Sequence, residues 1–258
     1  MSDYLLELRD VSTGFGANTV LHGCSYHVSD GEIAGVLGLN GAGKSVSLKV
    51  VAGLLPAWSG QVFFLGEDVT KLSVEQRVAR GMGHVPQGRQ VFPDLSVEEN
   101  LRLGAYTLRR KAKARYKTVL EGLLDRFPIL AERKDQLAGT MSGGQQAMLA
   151  VARGLMSEPK LLVIDEPSAG LSPVAVQELF ETLRVVHETG VTILLVEQNV
   201  TFSLKIADRV HIMQRGQIVY EGAVGHLDTD KVADYLGVGR LLSKSLKSSA
   251  TPEPAVTG

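Results

Sequence analysis

The chain has 258 residues, 44% of them hydrophobic and 21% charged, with a formal net charge of -1. That balance is ordinary for a folded protein and argues against a nucleic-acid binder working by bulk positive charge. A single cysteine, Cys24, leaves no intrachain disulfide and no cluster of thiolate metal ligands, which suits a reducing, cytoplasmic setting.

The first seven residues carry acids where an export signal carries basic groups, and no apolar run approaches the roughly 20 residues that span a bilayer. Any membrane role is therefore expected to come through a partner. Leu5 to Val11, Val20 to Val28 and Glu32 to Leu39 read as strands, the last two separated by the turn signal Ser29-Asp30-Gly31. Lys44 to Leu55 reads as a helix stopped by Pro56, Gln61 to Leu65 as a strand, and Ser73 to Arg80 as a further helix. From Ser96 to about Met156 the pattern is helical with no convincing strand, as in an inserted lobe. Strands return at Leu161 to Ile164, Thr192 to Val196, Val210 to Met213 and Gln217 to Tyr220, with a helix over Pro173 to Thr189.

This alternation with short connections predicts an α/β sheet covered by helices, flanked by a small antiparallel β portion. One domain is expected over about 1–240, with a core of about 1–86 and 158–240 and a helical subdomain of about 87–157. Residues 241–258 are polar and proline-rich and are expected to be disordered.

Gly38-Leu39-Asn40-Gly41-Ala42-Gly43-Lys44-Ser45 matches G-x-x-x-x-G-K-[ST], placed after a strand and at a helix start. Backbone N–H groups of such a loop turn inward around phosphate oxygens, Lys44 reaches the β and γ phosphates, and Ser45 ligates Mg²⁺. Val46 stands where many such loops carry a second hydroxyl, so a modest loss of affinity is expected, one neutral hydrogen bond being worth about 0.5–1.5 kcal/mol. The fold expected from this motif is a P-loop NTPase (RecA-like) core.

The apolar strand Leu161 to Ile164 runs into Asp165-Glu166. Adjacent strand residues alternate in direction, so each acid needs its own task. Asp165 is the expected Mg²⁺ partner, and Glu166 the group that orients or deprotonates an attacking water. Ser142-Gly143-Gly144-Gln145 opens another helix, where exposed N–H groups and a capping hydroxyl offer a second anion site or simply a capped helix.

With these residues in place the chain resembles the ATP-binding cassette ATPases from about Leu5 to Leu236. Met141 to Gln145 matches the signature Leu-Ser-Gly-Gly-Gln at four of five places. The resemblance implies two cassettes that sandwich two ATP molecules, the Ser142–Gln145 segment of one closing over the γ-phosphate held by the other. It also implies that Phe15 stacks on adenine, although edge packing is an alternative. Gln87, in Val85-Pro86-Gln87, matches the loop joining core to lobe, which senses the γ-phosphate with its Mg²⁺ and the permease. Gln198 takes the place of the usual histidine, and Ser172 that of the usual aspartate. A glutamine amide donates to phosphate but does not titrate, so slower or differently coupled turnover is expected.

The stretches 85–93, 95–101, 165–173 and 195–199 look like the smaller cassette of branched-chain amino-acid importers, with urea and short-amide importers much alike. The partners so implied are a second, homologous or identical cassette, two membrane permease subunits and, indirectly, an extracytoplasmic substrate-binding protein. Nucleic acid is not among them, and the implied location is the cytoplasmic face of the membrane. The rival class, a non-transport cassette acting on DNA or ribosomes, usually carries a coiled-coil insertion or two cassettes per chain, and each motif occurs once here. The basic run Arg109 to Lys117 reads as a solvated helix face, and the six histidines have no metal-ligand spacing.

Overall fold

A computed structural model describes residues 4–88, 90–106 and 113–236. The expected disordered segment 241–258 and part of the basic run lie outside the described residues. The described strands are β1 Leu6–Phe15, β2 Asn18–Val28, β3 Ile33–Leu37, β4 Ser59–Phe64, β5 Glu67–Asp68, β6 Met82–Val85, β7 Leu161–Asp165, β8 Thr192–Glu197, β9 Arg209–Gln214 and β10 Gln217–Ala223. The helices are α1 Lys44–Val51, α2 Val74–Ala79, α3 Val97–Gly104, α4 Lys113–Arg126, α5 Pro128–Glu132, α6 Gly143–Leu155, α7 Pro173–Glu188, α8 Val200–Ile206 and α9 Thr229–Tyr235.

Two sheets form. β2-β1-β4-β5 is antiparallel, and β10-β9-β3-β8-β7-β6 is parallel except for the antiparallel edge pair β9–β10. The central strands β3, β8 and β7 are buried at every position and largely apolar because both faces are covered. Leu162, Ile164, Ile193, Leu195, Val210 and Ile212 face one cluster with residues of α3, α4, α5, α6 and α7. Leu161, Val163, Leu194, Val196 and Met213 face a second cluster with α1 and the antiparallel sheet. Period-two alternation within an unbroken apolar run thus divides one sheet between two cores.

Helix α1 ends earlier than expected, with Ala52 as its C-cap and Gly53 at φ 78°, so Pro56 is not what stops it. Strand β6 was not anticipated: it has four residues, and its place beside β7 is set by pairing rather than by its own pattern. Helices α8 and α9 were likewise not anticipated; each has seven residues, too short for a periodic signal. Between Ser96 and Met156 no strand forms among the described residues, but an isolated bridge joins Ser96 to Leu137. Six described helix starts carry side-chain caps, Ser73, Ser96, Ser142, Ser172, Asn199 and Asp228, and the first three form full capping boxes with Gln76, Glu99 and Gln145.

Two histidines, His211 buried and His84 half-buried, set an acid limit on stability. His211 is fully buried with Nε2 2.9 Å from the His27 carbonyl. Burial, with His27 and Arg209 nearby, pushes its pKa down to about 3. Burial and Lys49 push His84 down to about 4. Both stay neutral in the fold while the unfolded chain takes up protons below about 6.5. Their contribution is therefore complete above pH 6.5 and is lost as pH falls from 6.5 toward 4, by at most about 1.4 kcal/mol per pH unit for each histidine. Urea unfolding at pH 7 and pH 5 will show this loss, and His211→Gln will reduce it.

The candidate nucleotide site

The loop after β3 is clamped from outside. A Cβ on Gly38 would stand 2.4 Å from the Met213 carbonyl oxygen, so only glycine fits where the loop passes under the end of β9. The Gly216 N–H then donates to the Ala42 carbonyl at 2.7 Å, and the His22 N–H donates to the Gly216 carbonyl at 3.1 Å. The β9–β10 turn thereby ties the loop to the antiparallel sheet. Inside the loop Gly41 and Gly43 take φ of 79° and 107°, the Ala42 N–H donates to the Leu39 carbonyl, and Asn40 lies exposed at the rim.

Gly43 caps α1 with no side-chain acceptor, and no acid lies in the first turn. The first N–H groups of this helix lack intrahelical partners by geometry and carry the positive end of its dipole, which attracts phosphate. Lys44 is buried, and its ammonium donates to the carbonyls of Gly38 at 3.0 Å and Leu39 at 3.2 Å and lies 3.4 Å from Glu166 Oε1. Val46 is half-buried against the core shared with the antiparallel sheet, which is what its side chain does there in place of a hydroxyl.

The acids diverge for a reason other than strand alternation. Strand β7 ends at Asp165, and Glu166 has left it, with φ at 44°. A non-glycine residue in this region costs about 1–2 kcal/mol, and the Glu166 N–H to Val196 carbonyl bond, 2.9 Å, holds it there. Asp165 Oδ1 accepts from Ser45 Oγ at 2.8 Å. Burial raises the Asp165 carboxyl above its ordinary range, the adjacent Glu166 adds to that, and the Ser45 bond together with Lys49 and Lys44 opposes it. Glu166, 7% exposed, receives the Gln87 amide on Oε2 at 2.7 Å and the Gln198 amide on Oε1 at 3.0 Å. Lys44, Gln87, Glu166 and Gln198 thus converge, and Ser45 and Asp165 form a second oxygen pair beside them.

Two predicted groups stand elsewhere. Phe15 ends β1 and is 53% exposed, on the same hairpin as Leu21, whose side chain lies against Gly43. Ser142 and Gln145 spend their hydrogen bonds on each other at the start of α6, while Gly143 follows half-exposed. Gly144 lets α6 approach α7: a Cβ there would lie 2.8 Å from that of Ala175. Ser172, where aspartate was expected from the family pattern, caps α7 by accepting from the Ala175 N–H, a role either residue fills. Glu197, whose buried carboxylate joins two loops of the site, belongs to no motif marked in the sequence. An acid closing an otherwise apolar strand was the available signal.

A glycine-rich loop between a parallel strand and a helix, with a serine–aspartate pair and a separate glutamate at the neighbouring strand ends, defines a P-loop ATPase site. The ABC transporter family profile matches residues 21–169. Over 235 residues the chain is 43% identical to the high-affinity branched-chain amino acid transport ATP-binding protein BraG of Pseudomonas aeruginosa, covering 90% of this chain and 100% of BraG. It is 36% identical over 224 residues to the probable branched-chain amino acid transport ATP-binding protein LivF of Archaeoglobus fulgidus, covering 86% and 94%. Among solved structures, a nucleotide-free ATP-binding cassette from an ABC transporter superposes with a TM-score of 0.80 at 26% identity, covering 94% of this chain and 98% of that one.

The chain belongs to the ABC transporter family as an ATP-binding, ATP-hydrolysing subunit. Such subunits work with membrane permease components, and no helix of the described residues is long and apolar enough to cross a membrane itself.

Proposed function

We propose that this subunit powers the import of branched-chain amino acids from the cytoplasmic face of a membrane, paired with a second, homologous cassette beneath two permeases and supplied by an extracytoplasmic binding protein. The observation that carries the substrate class is the 43% identity to BraG along the whole length of that protein. For the chemistry it is the convergence of Lys44, Gln87 and Gln198 on the Glu166 carboxylate.

In this reading the loop N–H groups and Lys44 hold the phosphates of ATP, and the exposed Phe15 ring stacks on adenine. The oxygen donors of Ser45 and Asp165, with the Gln87 amide, suit Mg²⁺, a hard cation that takes oxygen ligands. When bound with ATP it would neutralise charge on the β and γ phosphates. Glu166 orients the attacking water and accepts its proton, and the two glutamine amides fix the carboxylate in place. Gln198 donates to the γ-phosphate without titrating, so its part in turnover is insensitive to pH near neutrality. Ser142 to Gln145 supply anion contacts to the ATP of the opposite cassette.

The test is to purify the chain with its permeases, reconstitute the complex in vesicles and measure ATP-dependent uptake of leucine and of urea with the cognate binding protein. Leucine uptake that is lost in Lys44→Ala supports the proposal. Uptake of urea alone transfers the subunit to the amide-importer branch.

A further inference from the structure

The residue before Gln198 has a carboxylate that no step above uses. Glu197 closes β8 and is 1% exposed. No cation is bonded to it among the described residues; instead three backbone donors converge on it. Oε1 accepts from the Ser168 N–H at 2.9 Å, and Oε2 accepts from the N–H of Gln198 at 3.0 Å and of Asn199 at 3.2 Å. Burying a carboxylate is costly unless its oxygens are satisfied, and N–H donors to an ionised acceptor are among the stronger hydrogen bonds in proteins.

These bonds close a ring. Glu166 is held to β8 by its own N–H on the Val196 carbonyl, and two residues later Ser168 is held to the same strand by Glu197. On the other side Glu197 folds the chain at Gln198 and Asn199, and the Gln198 amide returns to Glu166 Oε1 at 3.0 Å. Glu166, buried at φ 44°, and Gln198, exposed, each lie on a turn just beyond the end of a strand. Glu197 is the buried group bonded to both turns.

We infer that Glu197 is a positioning residue for ATP hydrolysis, fixing the turn that carries Glu166 and the turn that carries Gln198 in a common register. The inference rests on the catalytic reading of those two residues. A glutamine at 197 has one acceptor oxygen, and its NH₂ group would face an N–H that now donates, so at least one of the two turns is released.

The test is a double-mutant cycle on the full-length chain, with kcat, KM and melting temperature measured for the parent, Glu197→Gln, Gln198→Ala and the pair. The expected result is that Glu197→Gln lowers kcat about tenfold with KM for ATP and melting temperature little changed, and costs only about threefold once Gln198 is already alanine, the remainder being its hold on the Glu166 turn through Ser168. Independent losses that multiply in the pair overturn the inference, as does a loss confined to KM. If Glu197→Gln does not fold, Glu197→Asp, which keeps both oxygens one methylene short, takes its place in the cycle; loss of the fold in both makes Glu197 a stability residue and also overturns it. An unchanged rate in Gln198→Ala alone instead sinks the catalytic reading, so the two failures are distinguishable.

Discussion

Glu166→Gln is expected to bind ATP with near-parental affinity and to hydrolyse it at least a hundredfold more slowly, leaving a closed, ATP-bound pair of cassettes. The change removes a proton acceptor while keeping shape and one hydrogen-bond acceptor. General-base assistance is worth about 10²–10⁴ in rate, whereas the proposed phosphate binding rests on the loop N–H groups and Lys44. Glu166 lies 3.4 Å from the Lys44 ammonium, so the variant also frees that cation from a negative neighbour, which favours retention of the nucleotide. Single-turnover hydrolysis and ATP-dependent dimerisation in gel filtration read the two parts separately. Normal turnover would remove Glu166 from the catalytic role.

Arg77→Ala is expected to destabilise the fold by about 3 kcal/mol or more, with its first effect on the end of α1 farthest from the nucleotide. Arg77 is 2% exposed and has no salt bridge among the described residues. Its guanidinium donates instead to the carbonyls of Val50 at 2.7 Å, Val51 at 2.5 Å, Thr70 at 3.0 Å and Leu72 at 3.3 Å. Val50 and Val51 are the last residues of α1, where carbonyls lack intrahelical partners and a cation complements the dipole. Alanine removes this donor from the Val51, Thr70 and Leu72 carbonyls, while Val50 keeps the Gly53 N–H at 3.1 Å; the cost is about 1–3 kcal/mol for each buried group that water cannot reach, with a cavity in addition. Burial draws the Arg77 pKa down to about 10, so the charge is intact at neutral pH. Urea titration measures the loss. Arg77→Lys should recover only part of it, since three donors on a point charge do not match a planar fork.

Arg77 also marks the limit of what the sequence discloses. Charged residues are almost always exposed unless paired, and nothing near position 77 announces a buried cap on a helix some 26 residues earlier. Strand β6 and helices α8 and α9 escape for a related reason: each is shorter than the window over which periodicity is informative, and each owes its form to a neighbour. The capping boxes at Ser73, Ser96 and Ser142 are legible because both partners lie within four residues.

The candidate site divides in the same way. The phosphate loop, the acid pair and the Ser142–Gln145 helix start are contiguous motifs whose residue types carry their chemistry, so the sequence by itself determined an ATPase of the cassette family on an α/β fold. Only the tertiary structure decided that Gly38 passes 2.4 Å under the Met213 carbonyl, that Glu166 leaves its strand at φ 44°, and that Gln87, Gln198 and Lys44 meet on its carboxylate. Those partners are separated from Glu166 by 79, 32 and 122 positions, the last being 166 less 44. Local pattern reports the period and the cap because these act within a turn or two of chain. Convergence of distant side chains on one carboxylate depends on how the ten strands and nine helices of the described residues pack, and that is settled only when the sheet closes around its two cores.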